Sequence, residues 1–219
     1  MRILALDSAL ARCSAALVVD QVLIAERRQD GAQGQAAALP VLTRDVLARA
    51  GVGPGGLDAI AATVGPGGFT GIRAGLAMAH GLALGFGVPV IGVTVPEAMV
   101  RALPDTFGRA LWTAIDSRRG RVFLDRGDGP AAWPLDALPP TGGPVVIAGD
   151  AAIAVMARLA ARGDDVMLTD IRLPSGWAIA LVAEDRLCGR RPALSAAPLY
   201  VDAPEVRLPA TAPRPPPRP

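Results

Sequence analysis

The chain has 219 residues, 51% hydrophobic and 19% charged, enough apolar material for one large domain or two lobes. Its 22 basic and 20 acidic side chains leave a net charge of +2, a balance that does not predict electrostatic binding to nucleic acid. Every basic residue is Arg, which excludes P-loop, Schiff-base and kinase-type lysine chemistry, and His80 is the sole histidine, which excludes multi-histidine metal sites.

The chain opens with strands. An apolar run over 3–7 ends in Asp7-Ser8, and runs over 14–19 and 22–27 flank Asp20-Gln21, a two-residue turn. Asp7 and Arg12 interrupt this apolar start, so it does not read as a signal peptide. A helix over about 38–50 has Pro40 in its first turn and Gly51 at its end. Leu39, Leu42 and Val46 form its apolar stripe, opposite Arg44, Asp45 and Arg49. Then come a buried strand over 57–64, a helix rich in small residues over 70–84, a buried strand over 88–93 and a short helix over 96–103. Residues 74–96 carry no charge, but five glycines with Pro89 and Pro96 favour a buried helix and strand over a membrane span.

A second unit begins near Arg109. Strands over 111–116 and 121–125 pair, a strand over 145–148 leads into a helix over 150–162, and a short strand over 166–168 precedes a helix over 175–188 that Gly189 stops. The succession predicts mixed α/β structure in two similar halves, without a sequence repeat that proves duplication. The expected division is an N-terminal lobe at 1–105, a smaller lobe at 106–202 and a tail at 203–219. Seven prolines in those last 17 residues read as disorder or polyproline, or as a proline-rich ligand for a partner. Cys13 and Cys188 cannot form a C-x-x-C pair and fit a reduced cytosolic chain.

The segment richest in possible chemistry is Gly65-Pro66-Gly67-Gly68-Phe69-Thr70-Gly71-Ile72-Arg73, between a buried strand and a helix. It reads either as a tight turn with Thr70 capping the helix, or as an anion site made by N–H groups at the helix start. It matches neither the P-loop nor the dinucleotide fingerprint. Arg73 opposes the dipole of that first turn, so a carboxylate of this chain or of a partner, or a phosphate, is expected to compensate it. His80 shares a stripe with Arg73, Ala77 and Leu84 and reads as a packed, hydrogen-bonded histidine in a core or interface. In Asp116-Ser117-Arg118-Arg119-Gly120 the arginines either contact phosphates or solvate a loop.

Taken together, the strand from Arg2 to Asp7 with Cys13-Ser14, the loop from Gly65 to Arg73, Gly81-Leu82-Ala83-Leu84 running into Pro89 to Val93, the turn around Asp116 to Phe123, and Pro198-Leu199-Tyr200 resemble the TsaB (YeaZ) family of tRNA threonylcarbamoyladenosine biosynthesis. The resemblance extends to about Val201. It implies an actin-like ATPase or sugar-kinase-like fold of two ribonuclease-H-like halves, paralogous to TsaD, the subunit that transfers threonylcarbamoyl to the adenosine beside the anticodon. In that fold Asp7 marks a phosphate loop, but no glycine follows it here, and the local alternative is a turn aspartate bonding its own backbone. TsaD-type proteins hold a metal through Asn-His-x-x-x-His; Val95 and Met99 stand where the two histidines would be, and neither suits a hard metal.

The resemblance therefore implies a cytoplasmic, non-catalytic subunit without cofactor or metal. Its implied partners are a TsaD-type catalytic subunit, a TsaE-type ATPase in the full assembly, and a second copy when alone. Direct contact with tRNA stays open. The implied interface runs along the helices at 38–50 and 70–84, with Leu39, Leu42, Val46, Ile72, Gly75, Leu76, Ala79 and His80 as candidates. Gly65, Gly67, Gly68, Thr70, Gly71 and Arg73 form the candidate loop and helix start, with Asp7 a vestigial phosphate position. Departures from the family pattern are Gly68 for a usual Ser, Gly34 for His and Asp202 for Arg. The competing readings are an ATP-binding phosphotransfer enzyme on the same fold and a peptidase, the latter opposed by the lone histidine.

Overall fold

The computed structural model describes residues 1–31, 34–53, 55–103 and 105–202. The proline-rich tail reading at 203–219 lies outside them.

Alternation along β1 (Arg2–Asp7) organises the first half. Leu4 and Leu6 enter one apolar cluster, Ile3 and Ala5 another, as a two-residue period requires of a strand covered on both faces. β1 pairs antiparallel with β2 (Arg12–Val19), and β2 with β3 (Val22–Asp30). Asp20 and Gln21 join the latter pair at φ 47° and 68°, the left-handed geometry a two-residue hairpin demands. On its other side β1 runs parallel to β4 (Ala59–Gly65), and β4 parallel to β5 (Val90–Thr94), giving the order β3-β2-β1-β4-β5.

Helices α1 (Gln35–Ala50) and α2 (Phe69–Phe86) cover the Leu4 and Leu6 face. Both begin differently from expectation. α1 starts at Gln35, so Pro40 lies inside the helix rather than in its first turn. The proline ring removes the amide partner of the Ala36 carbonyl, and Ala36 lies on the exposed side of the helix. α2 is preceded by Gly68 at the N-cap with no side-chain cap, and Thr70 stands inside the helix rather than capping it.

The second half repeats the first. β6 (Ala110–Asp116) pairs antiparallel with β7 (Arg121–Asp125), and β7 with β8 (Ala131–Pro134). β6 also runs parallel to β9 (Val145–Ala148), and β9 to β10 (Val166–Leu168), giving β10-β9-β6-β7-β8. The directions match those of β5-β4-β1-β2-β3 strand for strand, the arrangement of two ribonuclease-H-like halves in an actin-like α/β fold. α4 (Ala152–Ala161) joins β9 to β10 as α2 joins β4 to β5, packing Val155 and Leu159 against Trp112 and Ile147.

Two later helices close the first sheet. α3 (Val95–Ala102) follows β5 with a complete capping box, Thr94 Oγ1 accepting from the Glu97 amide while the Glu97 carboxylate accepts from the Thr94 amide. α5 (Gly176–Leu187) returns to the first half and lays Ile179 and Val182 on the Ile3 and Ala5 face. A Cβ on Gly176 would lie 2.4 Å from the Ala16 Cβ, so this helix start must be glycine. Glu97 Oε1 accepts from Arg186 Nη2 at 2.6 Å and ties α3 to α5. Among the described residues no helix is long and apolar enough to cross a membrane.

Candidate functional site

The glycine loop is filled by its own chain. A Cβ on Gly67 would stand 2.3 Å from the Ala9 carbonyl oxygen, and the Gly68 amide donates to that oxygen at 2.7 Å. Ser8 Oγ donates to the Gly71 carbonyl at 2.8 Å, and a Cβ on Gly75 would meet Ser8 Oγ at 2.7 Å. The Ser8-Ala9 turn after β1 is thus seated in the loop, and the glycines admit its backbone. An anion at the start of α2 would find the Gly68 amide already engaged.

Asp7 is sealed beneath that contact. Its Oδ1 accepts from Thr63 Oγ1 at 2.6 Å and from the Ala9 amide at 3.0 Å, the second being the local turn bond foreseen as the alternative to a phosphate role. Its Oδ2 is buried without a partner, as is Oγ of Ser14, the residue opposite Asp7 on β2. Burial outweighs these hydrogen bonds and raises the Asp7 carboxyl to about 6.

Within the chain Arg73 meets rings and a phenol rather than a carboxylate. Its guanidinium lies 3.7 Å from the Phe69 ring centroid and 5.8 Å from that of Tyr200, and its Nε donates to the Tyr200 hydroxyl at 2.8 Å. His80 is exposed rather than packed in a core, and its Nε2 donates to the Ala196 carbonyl at 2.9 Å. These bonds belong to a strap, residues 195–202, that runs over the first half. A Cβ on Gly92 would lie 2.6 Å from the Ser195 carbonyl oxygen. The Leu199 amide donates to the Val64 carbonyl at 2.8 Å, and Asp202 pairs with Arg121 of β7 at 3.0 Å.

The strap, the glycine loop and the β6–β7 turn enclose a cleft of about 610 Å³ between the halves. Phe69, Arg73 and Tyr200 form one wall and Asp116, Arg118, Arg119 and Phe123 the other. Arg118 also reaches a second cavity of about 290 Å³ beside Leu10, Gly34 and Thr70. Its backbone stands at φ 57°, with its amide donating to Asp116 Oδ1 at 2.7 Å. Sequence reading singled out Arg73 and the arginine turn separately; only the fold sets them across one cleft. Phe69 and Tyr200 were visible as motif residues, without a signal that they would flank Arg73.

The interface candidates divide by burial. Leu39, Val46, Ile72, Gly75, Leu76 and Ala79 lie inside the chain's own core, between helix and sheet, and present no surface. Leu42 is half-buried. The stripe that α2 offers outward is Arg73, Ala77, His80, Gly81 and Leu84, the last 87% exposed. Val41 on neighbouring α1 is exposed as well. Among the described residues no three His, Cys, Asp or Glu side chains gather as a metal site would need.

Comparison with known proteins gives a consistent set of relatives. A family model described as TsaD, tRNA N6-adenosine threonylcarbamoyltransferase, matches residues 30–129. The tRNA threonylcarbamoyladenosine biosynthesis protein TsaB of Escherichia coli is 37% identical over 124 residues, 56% of this chain and 53% of that protein. Its Haemophilus influenzae counterpart is 34% identical over 129 residues, 58% and 53% respectively. The chain thus spans about half the length of the curated relatives it matches. Among solved structures, YeaZ from Pseudomonas aeruginosa superposes with a TM-score of 0.75 at 26% identity, over 91% of this chain and 99% of that one.

Proposed function

We propose, from its likeness to TsaB and YeaZ proteins, that this chain is a non-catalytic dimerisation subunit of the complex that installs threonylcarbamoyl on N6 of the tRNA adenosine next to the anticodon. In this reading it acts in the cytoplasm and supports a TsaD-type catalytic subunit, with a TsaE-type ATPase joining the assembly. The observation that carries it is the filled glycine loop: the Ala9 carbonyl is seated against Gly67 and takes the Gly68 amide, and Asp7 beneath it is closed to solvent. Val95 and Met99 add to this, being buried apolar side chains where the catalytic paralogue's histidines would stand.

The surface that serves this role is the outward stripe of α2 with Val41 beside it. Ala77 and Gly81 allow a partner helix to approach closely, and Leu84 supplies an apolar anchor. A second copy of this chain uses the same stripe when no partner is present. Size-exclusion chromatography with light scattering, on this chain mixed with the TsaD-type protein of the same organism, tests the proposal. A peak at the summed mass is expected. Two unshifted peaks from folded proteins overturn it, and micromolar ATP binding by the isolated chain favours the phosphotransfer reading instead.

A further inference from the structure

We propose that the cleft between the halves receives a single-stranded segment of RNA, a base stacking on Phe69 and Tyr200 and backbone phosphates meeting Arg118 and Arg119. The inference rests on the tRNA-modification reading for its choice of polymer, and on the cleft for everything else.

The volume, about 610 Å³, lies within the range of sites that enclose a nucleotide-sized group. Its walls combine the two ingredients of single-strand binding, ring faces and fixed cations. Phe69 is 57% and Tyr200 50% exposed, their centroids 6.0 Å apart, with Arg73 held against Phe69. Large rings are left open to water only where packing does not need them, and here two meet at one mouth. Across the cleft Arg118 and Arg119 form no ion pair among the described residues, and Asp202, the acid nearest the strap's end, is engaged by Arg121. The Asp116 carboxylate holds the Arg118 amide, which fixes the turn that projects both cations. The chain's near-neutral total therefore hides a local excess: Arg73, Arg118 and Arg119 line the cleft with Asp116 and Asp202, and Asp202 is already paired with Arg121.

The filled loop decides between a free nucleotide and a strand. A mononucleotide tail needs a cradle of amides, and Ala9 has taken the Gly68 amide. A strand needs only phosphates spaced along a cationic rim, with stacking that accepts any base.

The test is fluorescence anisotropy of a short labelled single-stranded oligoribonucleotide with the full chain, at several salt concentrations. The double variant Arg118→Glu with Arg119→Glu is expected to bind at least tenfold more weakly, and the slope of log affinity against log salt to shrink by about 1.4. Tyr200→Ala is expected to lose about tenfold with little change in that slope. Arg158→Glu, on the exposed side of α4, serves as a control and leaves binding unchanged. RNA affinity indifferent to the cleft variants overturns the proposal. So does ATP or an acidic peptide that binds as tightly as RNA and is lost with the same variants. The same double variant is run in the chromatography above: loss of RNA with the partner peak retained supports the cleft assignment. A wild-type chain that binds RNA but never joins the TsaD-type protein removes the partner reading and leaves the cleft standing.

Discussion

Replacing Gly67 with Ala probes the contact on which the functional reading turns. The added carbon would lie 2.3 Å from the Ala9 oxygen, 3.0 Å from its carbonyl carbon and 3.2 Å from its Cβ. None of these is the free end of a flexible side chain, so the β1–β2 turn has to retreat by about 1 Å, an overpacking worth about 1–3 kcal/mol. The retreat also stretches the Gly68 to Ala9 hydrogen bond, adding about 0.5–1.5 kcal/mol. A loss of about 2–4 kcal/mol is expected. Gly81→Ala supplies the reference: it lies in the interior of α2 with nothing within 4 Å of the new methyl, and is expected to gain about 0.5–1 kcal/mol from helix propensity. Equilibrium urea unfolding followed by circular dichroism reads both. If Gly67→Ala unfolds within about 0.5 kcal/mol of wild type, the turn is not docked in the loop, the amides are free for an anion, and the argument for a non-catalytic chain loses its main support.

Three more expectations follow from the same structure. Burial lifts Asp7 to about 6, so the folded chain binds this proton more tightly than the unfolded one, and the stability tied to it falls as pH climbs through that interval. Asp7→Asn is therefore expected to exceed wild type by about 1–3 kcal/mol above pH 7 and to match it near pH 4; a difference that does not vary with pH refutes the assignment. For Glu97, burial alone would raise the carboxyl, but hydrogen bonds from Thr94 and Arg186 outweigh it and hold it low, so its contribution is present at neutral pH and lost on acidification. Glu97→Ala leaves Arg186, with only 7% of its side chain exposed, unpaired; about 2–4 kcal/mol is expected at neutral pH and less in acid, measured by the same unfolding series. Leu84→Glu is expected to leave unfolding within about 0.5 kcal/mol of wild type yet abolish the summed-mass peak; an intact complex places the interface elsewhere. The Gly75→Trp and Ala79→Trp changes that helix spacing alone recommends for an interface would instead disrupt this chain's own core, where both residues are buried.

Strong apolar runs made most of the architecture legible. β1, β4, β5, β7, β9 and both long helices of the first half announce themselves by period or by their flanking glycines. β8 does not, because Ala131–Pro134 is short, lies at an edge and ends in proline. The duplication is plain in strand order and directions, and invisible in residues, because a buried strand constrains only apolar character and size. Burial was harder still. Leu39, Val46, Ile72 and Leu76 have the spacing of an amphipathic stripe, but a stripe has no label saying whether a sheet or a partner lies against it. At the site, glycine content signalled close approach without saying of what; the answer, Ala9, is more than fifty residues away in sequence. Arg73 was conspicuous as a misplaced charge, yet the aromatic solution depended on Tyr200, brought over by a strap that periodicity does not reveal.

The return of α5 to the first sheet has a consequence for synthesis. Ile3, Ala5, Ala16 and Val18 receive their cover from Ile179, Ala180 and Val182. On the ribosome, the stretch between the end of α3 and the start of α5 takes roughly 4–15 s to translate. For that interval the nascent chain lacks the α5 part of this cover and has only α3, through Ala98, on that face. Such a face invites a chaperone or a second nascent chain, so slowing translation across residues 103–175 would lower the soluble yield before any step of assembly begins.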